Sequence, residues 1–426
     1  MKNIKILLIG TGAREHAIAW KLLQSEMLEH LYCIGLNVGF KNNSKITILP
    51  YNYTKNTHKE IIEFCKNLNI NLVIIGGEQP IFNGLSDDLR FYGINVLAPS
   101  KYAAQLESSK SYAKAFMRRH NILTAAYNVF ENEKKIFAYC AAHFKTSKQP
   151  LVIKADGAAL GKGVAIANNL LEAKKYTKLY FQKYSKKIII EEFLSGSEIS
   201  FFILSDGNNY INFGYAKDYK TIYDNNKGDN SGGMGAYSAA NLLNQKQLID
   251  IENNIVRPTL KGLKKENIPY IGILFFGIIL TKDGAKLLEY NVRLGDPEAQ
   301  TLLLRLKSDL VNLLFNAATN NIHNQTIKWS KNVALAVVLA NKGYPQISRK
   351  NLKLDINNIC ENHPHINIFY ANILPTSHKN IYLTNGGRLL NIATLAKTKN
   401  TAIKIAYDAI CNINFKNGFY RCDIGK

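Results

Sequence analysis

Short apolar runs of strand length, separated by turn signals and helical stretches, recur along the chain. The first spans residues 4–9 and leads into a glycine-rich turn, GTGARE at residues 10–15, which opens a predicted helix. Residues 72–75 and 150–153 have the length and the β-branched content typical of buried strands. This alternation of strands and helices predicts an α/β fold.

A predicted hairpin near residue 280 carries the first candidate chemistry. An apolar strand at residues 271–280 is followed by a Lys-Asp-Gly turn and a returning strand at 285–291. Side chains two apart in a strand share a face, so Glu289 and Asn291 project together. Their oxygens suit Mg²⁺, a hard cation that completes its shell with water and phosphate oxygens. Arg293 then stabilises charge on a phosphoryl oxygen, whereas the alternative is an exposed strand face with a surface ion pair.

A second stretch, KADGAALGKGV, follows another apolar strand. Lys154 lies at the end of that strand. Gly157, Gly161 and Gly163 let successive N–H groups turn toward phosphate oxygens, and Lys162 adds a positive charge. The GxxxGK run is one residue shorter than a P-loop and lacks its Ser/Thr, which disfavours that fold. A flexible surface turn with solvated lysines is the alternative interpretation.

The segment IIIEEFL at residues 188–194 is a predicted strand that ends in two acids. A nucleotide site needs an acceptor for the adenine amino group and a carboxylate for the ribose hydroxyls. Glu191 or Glu192 can serve at this hinge through side chain or backbone, and Glu198 lies beyond a Ser-Gly-Ser turn. Solvated acids at a strand end are an equally good interpretation.

The amino-terminal turn is similar to a dinucleotide-binding fingerprint but differs at two points. Glu15 stands in place of the third glycine, and the second strand ends at Asn37 without the acid that holds a ribose diol. These differences disfavour a nicotinamide enzyme. A helix amino terminus with Arg14 beside it still predicts a site for an anion such as a sugar phosphate. Glu78 is either a ligand for ribose hydroxyls or a simple turn acid.

Several longer segments carry a family resemblance. They are GTGAREHAIAWKL, QLESSKSYAKAF, IKADGAALGKGV, IIIEEFLSGSE, SGGMGAYS, YNVRLGDPEAQT, TNGGRLL and YRCDIG. With these segments the chain resembles, nearly from end to end, the phosphoribosylamine–glycine ligases, or glycinamide ribonucleotide synthetases, of the ATP-grasp superfamily. The resemblance implies an ATP-grasp fold with an amino-terminal Rossmann-like (pre-ATP-grasp) domain and a small carboxy-terminal α+β domain.

The resemblance also implies roles for residues at matching positions. Glu289 and Asn291 would hold the cofactor Mg²⁺ or Mn²⁺, and Lys154, Asp218 and Arg293 would be catalytic. The implied ATP contacts are Lys110, Lys154, Gly157, Gly161, Lys162, Gly163, Glu191, Glu192, Phe193, Leu194, Glu198 and Lys220. The implied contacts to glycine and 5-phosphoribosylamine are Gly12, Arg14, Glu15, Glu78, Asp218, Ser231, Gly232, Gly233, Met234, Gly235, Arg293, Asp296 and Glu298.

The implied reaction belongs to de novo purine biosynthesis. The glycine carboxylate takes the γ-phosphoryl group of ATP, and the amine of 5-phosphoribosylamine then displaces phosphate to give glycinamide ribonucleotide. Asp218 holds the glycine ammonium or assists proton removal. A lid over residues 157–163 excludes water, because acyl phosphates hydrolyse. Another ATP-grasp carboxylate–amine ligase is the alternative enzyme.

Three features depart from the family pattern. Tyr219 and Thr221 stand where the family usually has His and Arg, and Asp229 stands where it has Pro. Residues 176–188 form a shortened, lysine-rich segment. The roles of positions 219 and 221 and the details of lid closure therefore do not transfer.

At 426 residues the chain is too long for a single hydrophobic core. The predicted units are an amino-terminal Rossmann-like domain for the substrate phosphate at 1–102, a helical connection at 103–122, an ATP-grasp lid at 123–194, a large ATP-grasp subdomain at 195–325 and a carboxy-terminal domain at 326–426. The last unit combines a strand at 333–340, a hairpin around Asn385-Gly386-Gly387 and a helix at 401–412.

Composition bears on location and partners. No segment approaches the roughly eighteen apolar residues that span a bilayer, and the amino terminus runs directly into a strand rather than a removable signal. Six cysteines without a CxxC pair suit a reducing, cytoplasmic setting, and nine histidines show no zinc spacing. We expect a monomer without membrane contact, which meets neighbouring pathway enzymes transiently.

A formal charge of +22 favours one alternative from another class, a nucleic-acid-binding protein. The lysines are scattered, however, without the arginine and aromatic interleaving of a base-stacking groove. Together with many Asn and Ile residues they indicate codon bias in an A·T-rich genome. A nucleic-acid partner is therefore disfavoured.

Overall fold

The amino-terminal unit is a parallel five-stranded sheet in the order β3-β2-β1-β4-β5. The computed structural model describes residues 3–41, 43–157, 163–356 and 359–426. The elements of this unit are β1 (Ile4–Ile9), α1 (Ala13–Leu22), β2 (Leu28–Ile34), β3 (Ile46–Ile48), α2 (His58–Asn67), β4 (Leu72–Ile75), α3 (Glu78–Asn83), α4 (Leu85–Phe91) and β5 (Val96–Leu97).

Strand β1 is buried on both faces, which explains its continuous apolar run. Ile6 and Leu8 pack in the core that contains α1, whereas Leu7 and Ile9 pack in the core that contains α2 and α4. The strand order reverses at β1, so the loops after β1 and β4 meet at the carboxyl edge of the sheet. Ligands of open α/β sheets bind at such an edge.

Two helices, α5 (Gln105–Ser108) and α6 (Lys110–Arg119), lead into a four-stranded sheet that we call the lid. Its strand order is β6-β9-β7-β8, and all its pairs are antiparallel. Two helices pack on this sheet, with Ile136, Cys140 and Phe181 in their shared core. The lid elements are β6 (Tyr127–Phe130), α7 (Glu133–Thr146), β7 (Leu151–Ala155), β8 (Val164–Ala167), α8 (Leu170–Lys183) and β9 (Ile188–Glu192).

The largest sheet begins with the hairpin that the sequence predicts. The elements up to the carboxy-terminal unit are β10 (Ser197–Asp206), β11 (Tyr210–Asp218), β12 (Thr221–Tyr223), β13 (Lys227–Asn230), β14 (Gly235–Ser238), α9 (Gln245–Ile251), α10 (Arg257–Lys265), β15 (Ile271–Thr281), β16 (Gly284–Asn291), α11 (Glu298–Arg305) and α12 (Leu310–Ala318). Strands β15 and β16 pair antiparallel from Thr281 and Gly284 onward, which confirms the hairpin.

The carboxy-terminal strands continue the same sheet. Its order is β16-β15-β10-β11-β14-β17-β22-β19, because β14 pairs with β17 across the boundary predicted at residue 325. The remaining elements are β17 (Val333–Asn341), β18 (Lys350–Asp355), α13 (Ile359–Asn362), β19 (Ile366–Tyr370), β20 (Ile373–Pro375), β21 (Ile381–Asn385), β22 (Arg388–Ala396), α14 (Lys399–Ile410) and β23 (Gly418–Phe419).

The hairpin predicted around Asn385-Gly386-Gly387 is wrong. Strand β21 pairs with β18 and β20, whereas β22 pairs with β17 and β19. The turn therefore carries the chain from one sheet to another. Side chains of Asn372 and Tyr344 fill the space that a Cβ would need at Gly386 and Gly387, so glycine is required by close packing here.

No helix in the described ranges is long and apolar enough to cross a bilayer. Cys33, Cys65 and Cys140 are buried, and Cys411 and Cys422 are exposed as free thiols.

Candidate active site

A cleft of about 1200 Å³ lies where the amino-terminal sheet, the lid, the large sheet and the carboxy-terminal strands meet. Such concave sites between units are where small-molecule ligands usually bind. Most of the predicted site residues line it, although the sequence separates them by up to almost three hundred positions. They are Arg14, Glu78, Lys110, Lys154, Gly157, Gly163, Glu191, Phe193, Leu194, Glu198, Asp218, Lys220, Ser231, Gly232, Glu289, Asn291, Arg293, Asp296 and Glu298.

Two predicted lysines approach the lid end of the cleft from different elements. Lys110, the first residue of α6, donates from Nζ to the carbonyls of Ala155, at 3.1 Å, and Gly157, at 2.7 Å. Gly157 has a φ of +89°, a left-handed conformation that favours glycine. Lys154 is the next-to-last residue of β7. The predicted Gly161 and Lys162 lie outside the described residues.

Glu191 does not project its carboxylate at an adenine site in the open cleft. Its side chain is 2% exposed, and Oε2 lies 2.9 Å from Lys154 Nζ and 3.2 Å from Lys114 Nζ. The alternation of β9 explains this orientation, because Ile189 and Glu191 share the face opposite Ile190 and Glu192. The Glu191 side chain, predicted as one possible adenine contact at the hinge, instead forms ion pairs with the two lysines.

The remaining hinge residues diverge. Glu192 is exposed outside the cleft, where Oε1 accepts from the Ala126 N–H at 3.0 Å. Phe193 and Leu194 line the cleft at the end of β9, and Glu198 Oε2 accepts from Lys220 Nζ at 3.2 Å. Phe193 and Leu194 thus offer an apolar edge, and Glu198 offers an oxygen ligand.

Glu289 and Asn291 line the cleft from one strand, β16, as the alternation predicts. Burial alone would raise the pKa of Glu289, but Lys220, Lys154 and Lys110 lower it to about 2. Glu289 is therefore ionised at neutral pH, and Lys220 Nζ lies 3.4 Å from Oε1. A carboxylate and an amide oxygen beside cationic groups fit a divalent ion that takes its other ligands from phosphate and water. Among the described residues no group of three or more His, Cys, Asp or Glu side chains forms a metal site of its own.

Asp218 is a cleft carboxylate with a strongly perturbed pKa. Burial raises its pKa to about 7, with Lys220 opposing that shift and Glu298 contributing to it. Asp218 ends β11, so its side chain is held by a rigid strand. A carboxylate that ionises near neutrality is suited to binding an ammonium group or accepting a proton.

Arg293 is held between two carboxylates. Its Nε lies 3.1 Å from Glu78 Oε2, and its Nη2 lies 3.0 Å from Glu107 Oε1. Burial alone would raise the pKa of Glu78, but Arg293 and Arg14 lower it to about 2. Glu78 therefore serves Arg293 in this structure, and Glu107 is a neighbour that the sequence reasoning missed.

The amino terminus of α1 is occupied by its own side chain. Glu15 is buried, and its carboxylate accepts from the Gly12 N–H at 2.7 Å and from Arg14 Nε at 2.6 Å. Gly12 and Glu15 do not line the cleft, and the capping carboxylate satisfies the Gly12 N–H, so their contact with substrate stays a prediction. Arg14 still lines the cleft, with Nη1 donating to the Leu294 carbonyl.

The glycine loop at residues 231–235 presents only its beginning to the cleft. Ser231 and Gly232 line it, whereas Gly233, Met234 and Gly235 are buried beneath. Contact of these last three residues with substrate stays a prediction, and Gly235 is held in place by the pairing of β14 with β17.

Arg388, at the start of β22, links this loop to the segment after β16. Its guanidinium donates to the backbone carbonyls of Gly232, Gly233 and Asp296 and forms a 3.0 Å ion pair with Asp296 Oδ2. The carboxylate of Asp296, a predicted substrate ligand, is thus paired with Arg388 in this structure. Glu298 is buried, and its Oε1 accepts from the Ser200 hydroxyl at 3.0 Å.

Tyr219 and Thr221, the two departures from the family pattern, both contact Arg421. The Arg421 guanidinium lies 5.0 Å from the Tyr219 ring centroid and donates to Thr221 Oγ1 at 2.7 Å. Both residues line the cleft, but the ring of Tyr219 packs in the carboxy-terminal core, where its hydroxyl accepts from the Gly425 N–H.

Three family models match the chain in succession. The N domain of phosphoribosylglycinamide synthetase matches residues 4–107, its ATP-grasp (A) domain matches residues 108–299, and its C domain matches residues 334–426. The chain belongs to the phosphoribosylglycinamide synthetase family. The ATP-grasp fold predicted from the sequence is confirmed, together with its amino-terminal and carboxy-terminal domains.

Relatives within the family align over nearly the whole chain. The phosphoribosylamine–glycine ligase of Clostridium acetobutylicum is 40% identical over 99% of this chain and 100% of that protein. That of Neisseria meningitidis is 39% identical over 99% of this chain and 98% of its own length. The trifunctional purine biosynthetic protein adenosine-3 of Gallus gallus is 37% identical over 99% of this chain, which corresponds to 42% of that longer protein.

Solved structures agree with the family assignment. The crystal structure of phosphoribosylamine–glycine ligase from Thermotoga maritima has a TM-score of 0.81 at 29% identity and covers 99% of this chain and 100% of that one. The biotin carboxylase domain of the Hydrogenobacter thermophilus 2-oxoglutarate carboxylase has a TM-score of 0.70 at 15% identity, with 99% and 92% covered. The latter likeness concerns the fold alone.

Proposed function

We propose that this member of the phosphoribosylglycinamide synthetase family ligates glycine to 5-phosphoribosylamine at the expense of ATP. The products are glycinamide ribonucleotide, ADP and phosphate, within purine biosynthesis. The observation that carries this proposal is a single cleft that gathers lysines from the lid side, oxygen ligands from β16 and an anion-binding arginine from the amino-terminal sheet. The names of the full-length relatives support the choice of substrates.

Phosphoryl transfer needs positive charge around the phosphate oxygens. Lys110 and Lys154 supply it from the lid end, where Phe193 and Leu194 hold the adenine ring and Glu198 accepts from the ribose hydroxyls. Glu289 and Asn291 would hold Mg²⁺ or Mn²⁺, which when bound neutralises charge on the phosphate oxygens.

Glycine needs activation because its carboxylate has no good leaving group. A carboxylate oxygen attacks the γ-phosphorus, the bond from that phosphorus to the bridging oxygen breaks, and ADP leaves with the electron pair. The unprotonated amine of 5-phosphoribosylamine then attacks the carbonyl carbon of glycyl phosphate. Phosphate departs, the nitrogen loses one proton, and an amide remains.

Asp218 and Arg14 orient the two smaller substrates. Asp218 faces the cleft from the end of β11 and holds the ammonium group of glycine. Arg14, at the carboxyl edge of the amino-terminal sheet, binds the phosphate of 5-phosphoribosylamine, as expected for a guanidinium. Arg293, fixed by Glu78 and Glu107, lines the same cleft and stabilises charge on the acyl-phosphate oxygens.

The partners and location remain predictions of the sequence. The sequence predicts a monomer in the cytoplasm that makes transient contacts with enzymes of the same pathway. The long Gallus gallus relative carries the matching region within a multifunctional chain. A lid that closes over the acyl phosphate and excludes water also stays a prediction, because residues 158–162 lie outside the described ranges.

ADP release by the full chain tests the proposal. It is measured with MgATP and glycine alone, with MgATP and 5-phosphoribosylamine alone, and with all three. Steady release only with all three is the expected result. Steady release with glycine and an unrelated amine would indicate another ATP-grasp ligase, and salt-sensitive retention on RNA without ADP formation would indicate the nucleic-acid alternative.

A further inference from the structure

A second buried lysine lies at the lid end of the cleft wall and has no part in the reaction described above. Lys114 is 2% exposed and lies on α6, one helical turn after Lys110. Its Nζ lies 3.2 Å from Glu191 Oε2 and donates to the Thr124 hydroxyl at 2.6 Å. An ammonium group is rarely buried so fully unless it is paired.

Both lysines converge on one oxygen of Glu191. Lys154 Nζ lies 2.9 Å from the same Oε2 atom that Lys114 contacts. The other oxygen, Oε1, is buried without a hydrogen-bond partner in the described part of the chain. The Glu191 carboxylate is therefore paired with two ammonium groups at once, those of Lys154 and Lys114.

Lys154 and Lys114 differ in freedom to move. Lys154 lines the cleft, and besides Glu191 its Nζ makes one long contact to a described residue, 3.5 Å to the Leu288 carbonyl. Lys114 is anchored to Thr124, whose hydroxyl donates to the Leu287 carbonyl of β16. Of the two lysines, Lys154 therefore has the weaker anchorage and is the one able to turn toward a phosphate.

The departure of Lys154 would expose an electrostatic problem. A buried carboxylate that loses its sole counter-ion is strongly destabilised, because the interior cannot solvate the charge. Lys114 removes this problem, since its ammonium remains paired with Glu191 throughout. Burial lowers the pKa of Lys114 to about 8, with Glu191 opposing that shift, so the group still carries charge at neutral pH.

We propose that Lys114 is a positioning residue for ATP binding, which neutralises Glu191 when Lys154 leaves that carboxylate to meet the phosphates. The inference rests on the proposed function, in that Lys154 binds ATP. It assigns Lys114 no contact with the nucleotide. Without Lys114, Glu191 would retain Lys154 and compete with the phosphates for it.

A double-mutant cycle on the full chain tests this role without turnover. Calorimetry measures the Kd of a non-hydrolysable ATP analogue with Mg²⁺ for the wild type, Lys114→Met, Glu191→Gln and the double variant. Lys114→Met weakens binding by about tenfold or more in the wild-type background, because Glu191 then retains Lys154. In the Glu191→Gln background the same substitution has less than about a threefold effect, because no charge remains to be compensated.

The outcomes separate the proposals. Equal weakening by Lys114→Met in both backgrounds would assign Lys114 a purely structural role and overturn the inference, as would no weakening in either. A wild type that binds no analogue would instead overturn the proposed function itself. Thermal melting of each variant checks folding. In steady state, Lys114→Met raises KM for ATP and leaves KM for glycine within about twofold, a split that general loss of packing would not produce.

Discussion

Lys220 Nζ lies 3.4 Å from Glu289 Oε1, so a cation already faces the carboxylate that is proposed to hold the metal. The same ammonium group lies 3.2 Å from Glu198, which is proposed to bind the ribose. Lys220 thus ties two ligand sites together. Under the proposed function, MgATP would compete with Lys220 for both carboxylates, so we expect metal and nucleotide binding to be coupled.

Replacing Glu289 tests the metal assignment. Glu289→Ala should lower Mg²⁺-dependent ADP formation by about a hundredfold or more, because one of two protein ligands is lost. The unfolding midpoint in urea should stay close to that of the wild type. Asp283→Ala, in the exposed turn of the same hairpin, is the matched control and should keep full activity. Normal Mg²⁺-dependent turnover by Glu289→Ala would remove the assignment.

The pKa of Asp218 predicts a pH dependence for glycine binding. Burial raises that pKa to about 7, with Lys220 lowering it and Glu298, Glu198 and Glu289 raising it. Below pH 7 the carboxyl group is neutral and cannot pair with the glycine ammonium. KM for glycine should therefore rise by about tenfold for each pH unit below 7.

Asp218→Asn is the matched variant for this pH profile. It should raise KM for glycine at pH 8 and abolish the dependence near pH 7, since the amide does not titrate. If the variant keeps the wild-type profile, another group governs the titration.

Glu15 should act on stability through the amino terminus of α1. Glu15→Ala leaves the Gly12 N–H and the buried Arg14 without their carboxylate partner, and we expect a loss of about 2–4 kcal/mol in the free energy of unfolding. Urea denaturation measures this loss. Glu26→Ala, an exposed acid just beyond the same helix, should change it by less than about 0.5 kcal/mol. Equal stability of the two variants would contradict the capping role.

Arg388 should be required for substrate binding from outside the ATP-grasp segment. Arg388→Ala releases the backbone carbonyls of Gly232 and Asp296, so the two loops lose their common anchor. We expect kcat/KM for glycine and 5-phosphoribosylamine to fall by about 10–100-fold. Arg349→Ala, an exposed arginine on the preceding part of the same domain, is the control. Unchanged kcat/KM in Arg388→Ala would show that the two loops keep their positions without Arg388.

Much of the fold follows from local sequence. The hairpin of β15 and β16 was predictable because an apolar run, a turn with glycine and an alternating return occur in one segment. Alternation also placed Glu289 and Asn291 on one face. The turn at Gly386 and Gly387 was not predictable in the same way. Glycine is required there because side chains from elsewhere in the chain occupy the space of a Cβ.

The site was predictable as a set of residues but not as a set of pairings. Spacing indicates which face Glu191 shares, but it does not reveal that Lys114 of another element approaches that face. Glu107 and Arg388 were missed for the same reason, since their partners lie about ninety to one hundred and eighty positions away. Glu107 and Lys114 both lie close to Lys110 in the segment QLESSKSYAKAF. That proximity was the signal that could have identified them as site residues.

The pairing between β14 and β17 makes the base of the cleft one continuous sheet. Gly235 through Ser238 pair in register with β17, so Arg388 and the glycine loop share a single frame. The segment that leads into the lid sheet pairs with β16 at an isolated bridge between Thr124 and Leu287. Under the proposed function, we therefore expect any movement that admits a nucleotide to occur in the lid sheet, while the sheet at the base of the cleft keeps its shape.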